Sequence, residues 1–72
     1  MDFNHGTAKL KKNIIVKDMI VHRIDEEGII TAFLPNEQVY AVMFDGLTDP
    51  KNWFVFHDLK TFNEYFNYTL KD

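Results

Sequence analysis

Four short apolar runs, separated by polar turns, constrain this 72-residue chain more than any other feature. The runs cover residues 19–24, 29–34, 39–44 and 52–57, and they are rich in β-branched and aromatic side chains. Such runs at a spacing of roughly ten to fourteen residues are typical of short strands in a small all-β barrel or sandwich. The sequence therefore predicts a mainly β fold with four to five antiparallel strands.

The turns between these runs carry residues that end strands. Residues 25–28, Asp-Glu-Glu-Gly, predict a polar turn with a glycine available for a positive φ. Pro35 cannot donate a ladder hydrogen bond, and together with Asn36 it predicts the tip of a hairpin. The run after this tip, residues 39–44, is apolar on both faces, so we expect it to be a central strand of the sheet.

The C-terminal segment changes from strand-like to helical spacing. Asp58 is a candidate N-cap, since its carboxylate accepts hydrogen bonds from backbone amides of a first helical turn. Leu59, Phe62 and Phe66 follow at positions that share one face of a helix. We therefore expect a C-terminal helix over residues 58–70, packed on the barrel so that it closes one end.

Charge is segregated along the chain, although the net charge is only −3. Residues 1–23 carry five bases and two acids, whereas residues 24–50 carry six acids and no base. The first twelve residues also show no sustained period, so we expect a flexible basic arm over 1–12 and a single domain over 13–72. An acidic chain is a poor non-specific DNA binder, because that affinity comes from clustered bases.

A resemblance to a known family rests on three short motifs. Residues 17–23, Lys-Asp-Met-Ile-Val-His-Arg, are similar to the Gly-Asp-x-Val-x-His opening of Tudor-like and KOW-like SH3-type barrels, with Lys17 where the family usually has glycine. Residues 27–30, Glu-Gly-Ile-Ile, and 42–46, Val-Met-Phe-Asp-Gly, resemble the Gly-x-Val strand and the Val-x-Phe-Asp-Gly run that follow it. Such barrels occur at the C-termini of UvrD/PcrA-type helicases and, more distantly, in CarD-like RNA polymerase-binding domains. The resemblance implies an SH3-like barrel that binds the transcription or DNA-processing machinery.

The chemistry of the sequence points away from catalysis. Neither cysteine nor serine occurs, so there is no thiolate metal site and no Ser or Cys nucleophile. His5, His22 and His57 lack the spacing of a zinc site, and no glycine-rich phosphate loop is present. We predict a non-enzymatic protein without catalytic residues, cofactor or metal. With no apolar run long enough to span a membrane and no secretory signal in view, we expect a cytoplasmic protein without a membrane partner.

The aromatic residues of the predicted strands provide a candidate binding surface. Trp53 faces the opposite side of its strand from Phe54 and Phe56, so either the helix or a partner must cover one of the two sets. In our leading hypothesis acidic residues steer the encounter with a basic partner and aromatic residues supply affinity. The residues assigned to this partner-binding surface are Tyr40, Trp53, Glu37 and Asp45.

Two alternatives remain open at this stage. The first is a nucleic-acid-binding barrel in which Trp53 stacks on a base and a basic segment contacts phosphates. Its basic residues are Lys9, Lys11, Lys12, Lys17 and Arg23. The second is a small phage-type inhibitor of a host enzyme, since seven lysines to one arginine and six asparagines indicate an A/T-rich coding sequence. In each case we expect a monomer or a homodimer, because barrel edge strands invite pairing.

Overall fold

Short strands alternate with tight turns in the computed structural model, which describes residues 4–44 and 49–71. Within these residues there are seven strands, one α-helix and one turn of 3-10 helix. Residues 50–52 form the 3-10 turn, so the strand expected over residues 52–57 is shorter than its apolar run. In chain order the elements are β1 Gly6–Leu10, β2 Ile14–Val16, β3 Met19–His22, β4 Glu27–Leu34, β5 Val39–Met43, β6 Phe54–Phe56, α1 Leu59–Tyr65 and β7 Phe66–Leu70.

The strands form two antiparallel sheets. Five of them lie in the order β6-β5-β4-β1-β7, and β2 pairs with β3 in a separate two-stranded hairpin. The prediction of a mainly β fold of antiparallel strands with a C-terminal helix is confirmed, as are the β4–β5 hairpin around Pro35 and the interior position of β5. The strand count is higher than the four to five predicted, because β1, β2 and β7 lie outside the four apolar runs. The five-stranded sheet is not closed into a barrel, and its outer strands are β6 and β7.

The first strand corrects the prediction of a flexible arm over residues 1–12. Gly6–Leu10 lies inside the sheet between β4 and β7, with Ala8 and Leu10 only 1% exposed. Its outward positions are polar and its inward positions are small or apolar, so the segment has the period of two that is typical of a strand. The period is hard to recognise in the sequence because few of its residues are large and apolar. At Gly6, φ is +145°, and an added Cβ would come within 2.1 Å of the Thr69 carbonyl oxygen. This close approach of β7 requires glycine.

The helix is shorter than predicted. Asp58 caps it as expected, and its carboxylate accepts from the Thr61 backbone N–H (3.2 Å) and the Thr61 hydroxyl (2.9 Å). The hydrogen bond from that hydroxyl is the main cause of a lowered pKa at Asp58. However, the helix ends at Tyr65, and Phe66–Leu70 continues as β7, so the prediction of a helix over 58–70 is wrong for its second half. All five β7 residues pair with β1, and this tertiary pairing outweighs local helical preference.

Phe62 of the helix lies at the centre of the core. It is fully buried, and its ring packs against the rings of Tyr40 (5.5 Å between centroids), Phe66 (5.1 Å) and Tyr68 (5.1 Å). Both Phe62 and Phe66 face the core although they belong to different elements, because α1 and β7 lie against the same apolar layer. The helix thus covers one aromatic set of the sheet, which is the first of the two possibilities that the sequence left open, cover by the helix or cover by a partner.

Gly28 has a different role from the one its sequence position indicates. In the turn of residues 25–28 the positive φ belongs to Asp25 (75°), while Gly28 is buried within β4. A Cβ at Gly28 would lie 2.6 Å from Cγ1 of Val42 and 2.8 Å from the Met43 carbonyl oxygen. Glycine is therefore needed here for close packing of β4 on β5 rather than for turn geometry.

Candidate interaction surface

The β2–β3 hairpin is built by a tight turn with left-handed backbone. Lys17 and Asp18 have φ values of 51° and 65°, as in a type I′ turn, whose twist matches that of the flanking strands. Val16 pairs with Met19 next to this turn, and Ile14 pairs with His22 at the other end. A bulge between the first two residues of β2 shifts the register. The turn type explains why two polar residues suffice to reverse the chain at this point.

The segment of residues 14–24, which we call the apolar hairpin, exposes an unusual number of large apolar side chains. Ten such side chains are exposed in the described residues, and six of them lie in this segment. The others are distributed singly over the rest of the molecule, which is ordinary for a soluble protein. The six are Ile15 (62% exposed), Val16 (45%), Met19 (68%), Ile20 (45%), Val21 (43%) and Ile24 (53%).

The base of the apolar hairpin is anchored to the sheet, mainly by His22. The residue is 9% exposed, and its ring stacks on Phe44 (4.2 Å between centroids) and makes an edge contact with Phe54 (5.2 Å). Its Nδ1 donates to Oε1 of Glu26 at 3.0 Å, and the other carboxylate oxygen accepts from the Arg23 backbone N–H. The hydrogen bond from His22 is the main cause of a lowered pKa at Glu26, and the Arg23 N–H adds to it. His22 thus acts as a structural anchor.

A second set of contacts fixes the connections on either side of the apolar hairpin. The Ile24 backbone N–H donates to Oδ1 of Asn13 (2.9 Å), which ties the two ends of the segment together. The backbone N–H of Asp25 donates to the Leu10 carbonyl (3.0 Å), and the Leu10 N–H donates to the Glu26 carbonyl (2.9 Å). These bonds extend the β1–β4 pairing up to the base of the hairpin. Its apolar side chains are therefore presented by a segment that is held at one end.

A groove with a volume of about 280 Å³ lies between the apolar hairpin, β6 and the helix. We call it the edge groove. All three residues of β2 and all three of β6 line it, and α1 contributes Thr61 and Tyr65. Lys12 stands at the helix side of the groove, with its Nζ 4.8 Å from the centre of the Tyr65 ring. The groove is thus mainly apolar, with a cation beside one wall.

The surroundings of the apolar hairpin are basic. Residues 9–24 carry five bases and one acid, a net charge of +4, so the remainder of the chain carries −7 for an overall −3. All five bases are exposed. They are the five named in the nucleic-acid alternative: Lys17 and Arg23 belong to the apolar hairpin, whereas Lys9, Lys11 and Lys12 lie in or directly after β1 rather than on a flexible arm. An apolar surface within a basic border favours an acidic, apolar partner.

The predicted aromatic and acidic surface is not assembled. Tyr40 is 2% exposed and packs against Phe33 and Phe62, so its assignment to an exposed binding surface is wrong. It is buried because β5 lies inside the sheet beneath the helix. Trp53 is half-buried just before β6, whereas Glu37 is exposed in the β4–β5 turn, at the opposite end of β5. Asp45 lies outside the described residues.

The apolar hairpin could have been found from the sequence by one signal. The segment is apolar on both faces, yet its two strands have only three and four residues. Strands with two apolar faces normally lie inside a sheet, where neighbours cover both sides. Here two such strands pair only with each other among the described residues, so no further strand of the sheet helps to cover their apolar faces.

Comparisons with known proteins give no relative for this chain. No protein-family model matches it, and no curated protein and no solved structure matches it either. No helix in the described residues is long and apolar enough to cross a membrane. The same residues contain no group of three His, Asp or Glu side chains that could hold a metal ion. Functional inference therefore depends on the surface itself.

Proposed function

We propose that this chain is a non-enzymatic protein-interaction module and that the apolar hairpin is its binding surface. The observation that carries the proposal is the exposure of six large apolar side chains on one eleven-residue segment. The six lie on both faces of the hairpin, since Ile15 pairs with Ile20 and the next pair, Val16 and Met19, points the other way. Such a cluster of exposed apolar side chains is characteristic of interaction sites, whereas single exposed apolar residues are not. The rigid base at His22 supports this role, since a preformed surface loses less conformational entropy on binding.

The energetics favour a partner that covers most of the apolar hairpin. Full burial of a Val, Ile or Met side chain contributes about 1.5–3 kcal/mol relative to full exposure, and these side chains are already roughly half covered. Association costs about 4–15 kcal/mol in lost translational and rotational freedom. Covering one or two of the six side chains is therefore not enough. A stable complex requires that nearly the whole surface be in contact.

An SH3-like barrel is the fold that we propose for the module. A five-stranded antiparallel sheet that curls towards closure while its outer strands β6 and β7 remain unpaired would form a partly open barrel of this kind. Its order β6-β5-β4-β1-β7, with the apolar hairpin inserted between β1 and β4, supports this proposal. The resemblance of the motifs at residues 17–23, 27–30 and 42–46 to those of Tudor-like and KOW-like barrels supports a partner in the transcription or DNA-processing machinery.

A protein partner accounts for the surface better than nucleic acid does. The five exposed bases would suit a phosphate backbone, and an aromatic platform would suit unpaired bases. The most exposed side chains of the hairpin, however, are aliphatic, and phosphate contacts would leave them in water. An acidic protein with apolar side chains can pair with the bases and at the same time bury the side chains of the apolar hairpin.

Site-specific photocrosslinking tests the proposal. A photoreactive phenylalanine analogue replaces Met19 on the apolar hairpin or, as the matched control, Leu34, which is 47% exposed at the end of β4. We expect the Met19 position to give a discrete protein crosslink in host lysate that survives nuclease, and the Leu34 position to give none. Equal protein crosslinking at both positions would reject the hairpin as the binding surface. Crosslinks at Met19 that disappear with nuclease would favour the nucleic-acid alternative.

A further inference from the structure

The edge groove runs along two strand edges rather than over one strand face. It is lined by Ile14, Ile15 and Val16 of β2 and by Phe54, Val55 and Phe56 of β6. Consecutive side chains of a strand point to opposite faces. A groove that touches every residue of a strand must therefore follow the edge of that strand, where the backbone N–H and C=O groups lie.

Both of these edges are open within the described chain. β6 pairs only with β5, and β2 pairs only with β3. An open edge presents unpaired backbone donors and acceptors that can bind an additional extended segment. Native edge strands are commonly protected by charged side chains or proline. Here the outer positions are Val55, which is 46% exposed, and Ile15, so the edge groove has no such protection.

The size and lining of the edge groove suit an apolar side chain. Its volume of about 280 Å³ exceeds the roughly 150 Å³ of an apolar cavity that holds one benzene ring. Phe54 and Phe56 are half-buried beside it, and the ring of Tyr65 forms part of the wall. One aromatic side chain or two aliphatic ones therefore fit between the strands.

The charge around the edge groove selects the character of the bound segment. Lys12 lies against the Tyr65 ring of the wall, and Lys17 follows directly after β2 at the hairpin turn. Asp58 adds one negative charge beside the groove through its hydrogen bonds with Thr61, but it is outweighed by the net charge of +4 on residues 9–24, so acidic side chains on the bound segment are favoured. A symmetric contact between two copies would bring two such basic hairpins together, which disfavours a second copy as the occupant.

We propose that the edge groove binds an extended segment of a partner protein as an added strand along β6, covered by β2. The segment alternates apolar residues, which enter the groove, with acidic residues, which face the surrounding lysines. Main-chain hydrogen bonds to β6 supply affinity, and the apolar side chain in the groove supplies specificity. This inference rests on the proposed function and names the class of partner that the surface accepts.

The test uses a displayed library of short random peptides selected against the 72-residue chain. We expect enriched peptides to carry apolar residues at alternate positions with Asp or Glu between them. Methylation of alternate backbone nitrogens in a selected peptide should weaken binding by roughly tenfold or more in one phase of methylation, because it removes the donors that face β6. Enrichment of peptides with basic residues between the apolar ones would overturn the proposal. So would a selected peptide whose binding is unchanged by methylation in both phases.

Variants of one groove residue complete the test. Val55→Glu should weaken binding of a selected peptide by roughly tenfold or more, since it places a negative charge in the groove that repels the acidic residues of the peptide. Val55→Thr keeps the β-branched shape and should change affinity little, and Leu34→Glu controls for an added surface charge elsewhere. Folding of each variant is checked by its circular dichroism and unfolding midpoint. Equal binding by Val55→Glu and the unaltered chain would reject the edge groove as the site.

The outcomes separate this inference from the function on which it depends. Enrichment of peptides with helical apolar spacing, sensitive to Met19→Asp but not to Val55→Glu, would reject the added strand and retain the apolar hairpin as the surface. Peptides insensitive to both substitutions would reject both. If the chain self-associates in sedimentation equilibrium and Val55→Glu abolishes this, the occupant of the groove is a second copy of the chain, and the proposal of an acidic partner is rejected.

Discussion

The β4–β5 hairpin and the apolar hairpin have similar compositions and opposite environments. Both are rich in Ile, Val and other apolar residues, and both are antiparallel pairs joined by a tight turn. In the β4–β5 pair Ile30, Ala41 and Val42 are at most 2% exposed, whereas Ile15 and Met19 of the apolar hairpin are more than 60% exposed. The difference lies in their neighbours. β4 and β5 have strands on both sides and a helix above them, while the apolar hairpin has no such cover in the described residues.

This comparison shows that residue type and burial are separate questions. Branched apolar residues favour extended backbone wherever they occur, because they fit a pleated surface. Whether they are buried depends on what packs against that surface, and this is decided by elements far away in sequence. Within the described residues the apolar hairpin folds without becoming buried, and under our proposal a partner supplies the surface that covers it.

The largest expected effect comes from the covered region. Phe62→Ala removes the ring at the centre of the core and should lower the free energy of unfolding by about 3–5 kcal/mol. Because a chain of this size has about 4–11 kcal/mol of total stability, Phe62→Leu is measured in parallel and should show a smaller loss. Urea denaturation gives both values. Leu34→Ala is the exposed control, and a loss at Leu34 equal to that at Phe62 would break the distinction between the two regions.

A smaller effect is expected at the contact between β1 and β7. Gly6→Ala places a Cβ against the Thr69 carbonyl oxygen, a backbone atom that can move only with its strand. We expect a loss of about 1–3 kcal/mol in the free energy of unfolding, as for other overpacked sites. His5→Ala, at the neighbouring exposed residue, should cost much less. Equal stability of Gly6→Ala and His5→Ala would mean that β7 does not depend on this close approach.

These two elements, β1 and β7, also mark where sequence reasoning failed on the fold. The runs that became β4, β5 and β6 were recognisable because apolar and β-branched residues dominate them and turn residues bound them. In β1 the outward positions hold Thr7 and Lys9, and two of the three inward positions hold a glycine and an alanine, so Leu10 is the only large apolar residue of the strand and a hydrophobic period is not recognisable. In β7 the spacing of Phe62 and Phe66 fits a continuous helix, and only pairing with β1 makes residues 66–70 extended.

The candidate surface was less predictable than the fold. The basic residues of the nucleic-acid alternative are exposed, as surface lysines and arginines usually are. The sequence predicts more strand aromatics than a small core can bury and so favours a surface position for Tyr40, but the ring of Phe62 from the helix stacks on it. The two apolar faces of residues 14–24 are visible in the sequence, but their exposure follows from the absence of a third strand beside β2 within the described residues, which local sequence does not show.

The anchor between the two regions should respond to acid. The folded-state pKa of Glu26 is lowered below 4.5 by its hydrogen bonds with His22 and Arg23. The sign follows from this direction: the stabilisation is present above the unfolded-state pKa and is lost as the pH falls through the lower folded-state pKa. Unfolding midpoints measured from neutral pH to below pH 4 should therefore fall less steeply for Glu26→Gln than for the unaltered chain. Glu37→Gln, in the exposed β4–β5 turn, is the matched control, and a parallel change in both variants would exclude the anchor as the cause.

The smallest effect on stability is expected where the proposed effect on binding is largest. Ile15→Thr combined with Met19→Thr keeps β-compatible residues at two highly exposed positions, so the free energy of unfolding should change by no more than about 0.5 kcal/mol per site. Urea denaturation checks this, and fluorescence of a dye that binds exposed apolar surface should decrease. If these substitutions cost several kcal/mol instead, the apolar hairpin would belong to the core of the chain. If stability is kept while the Met19-dependent partner is lost, these residues serve binding rather than folding.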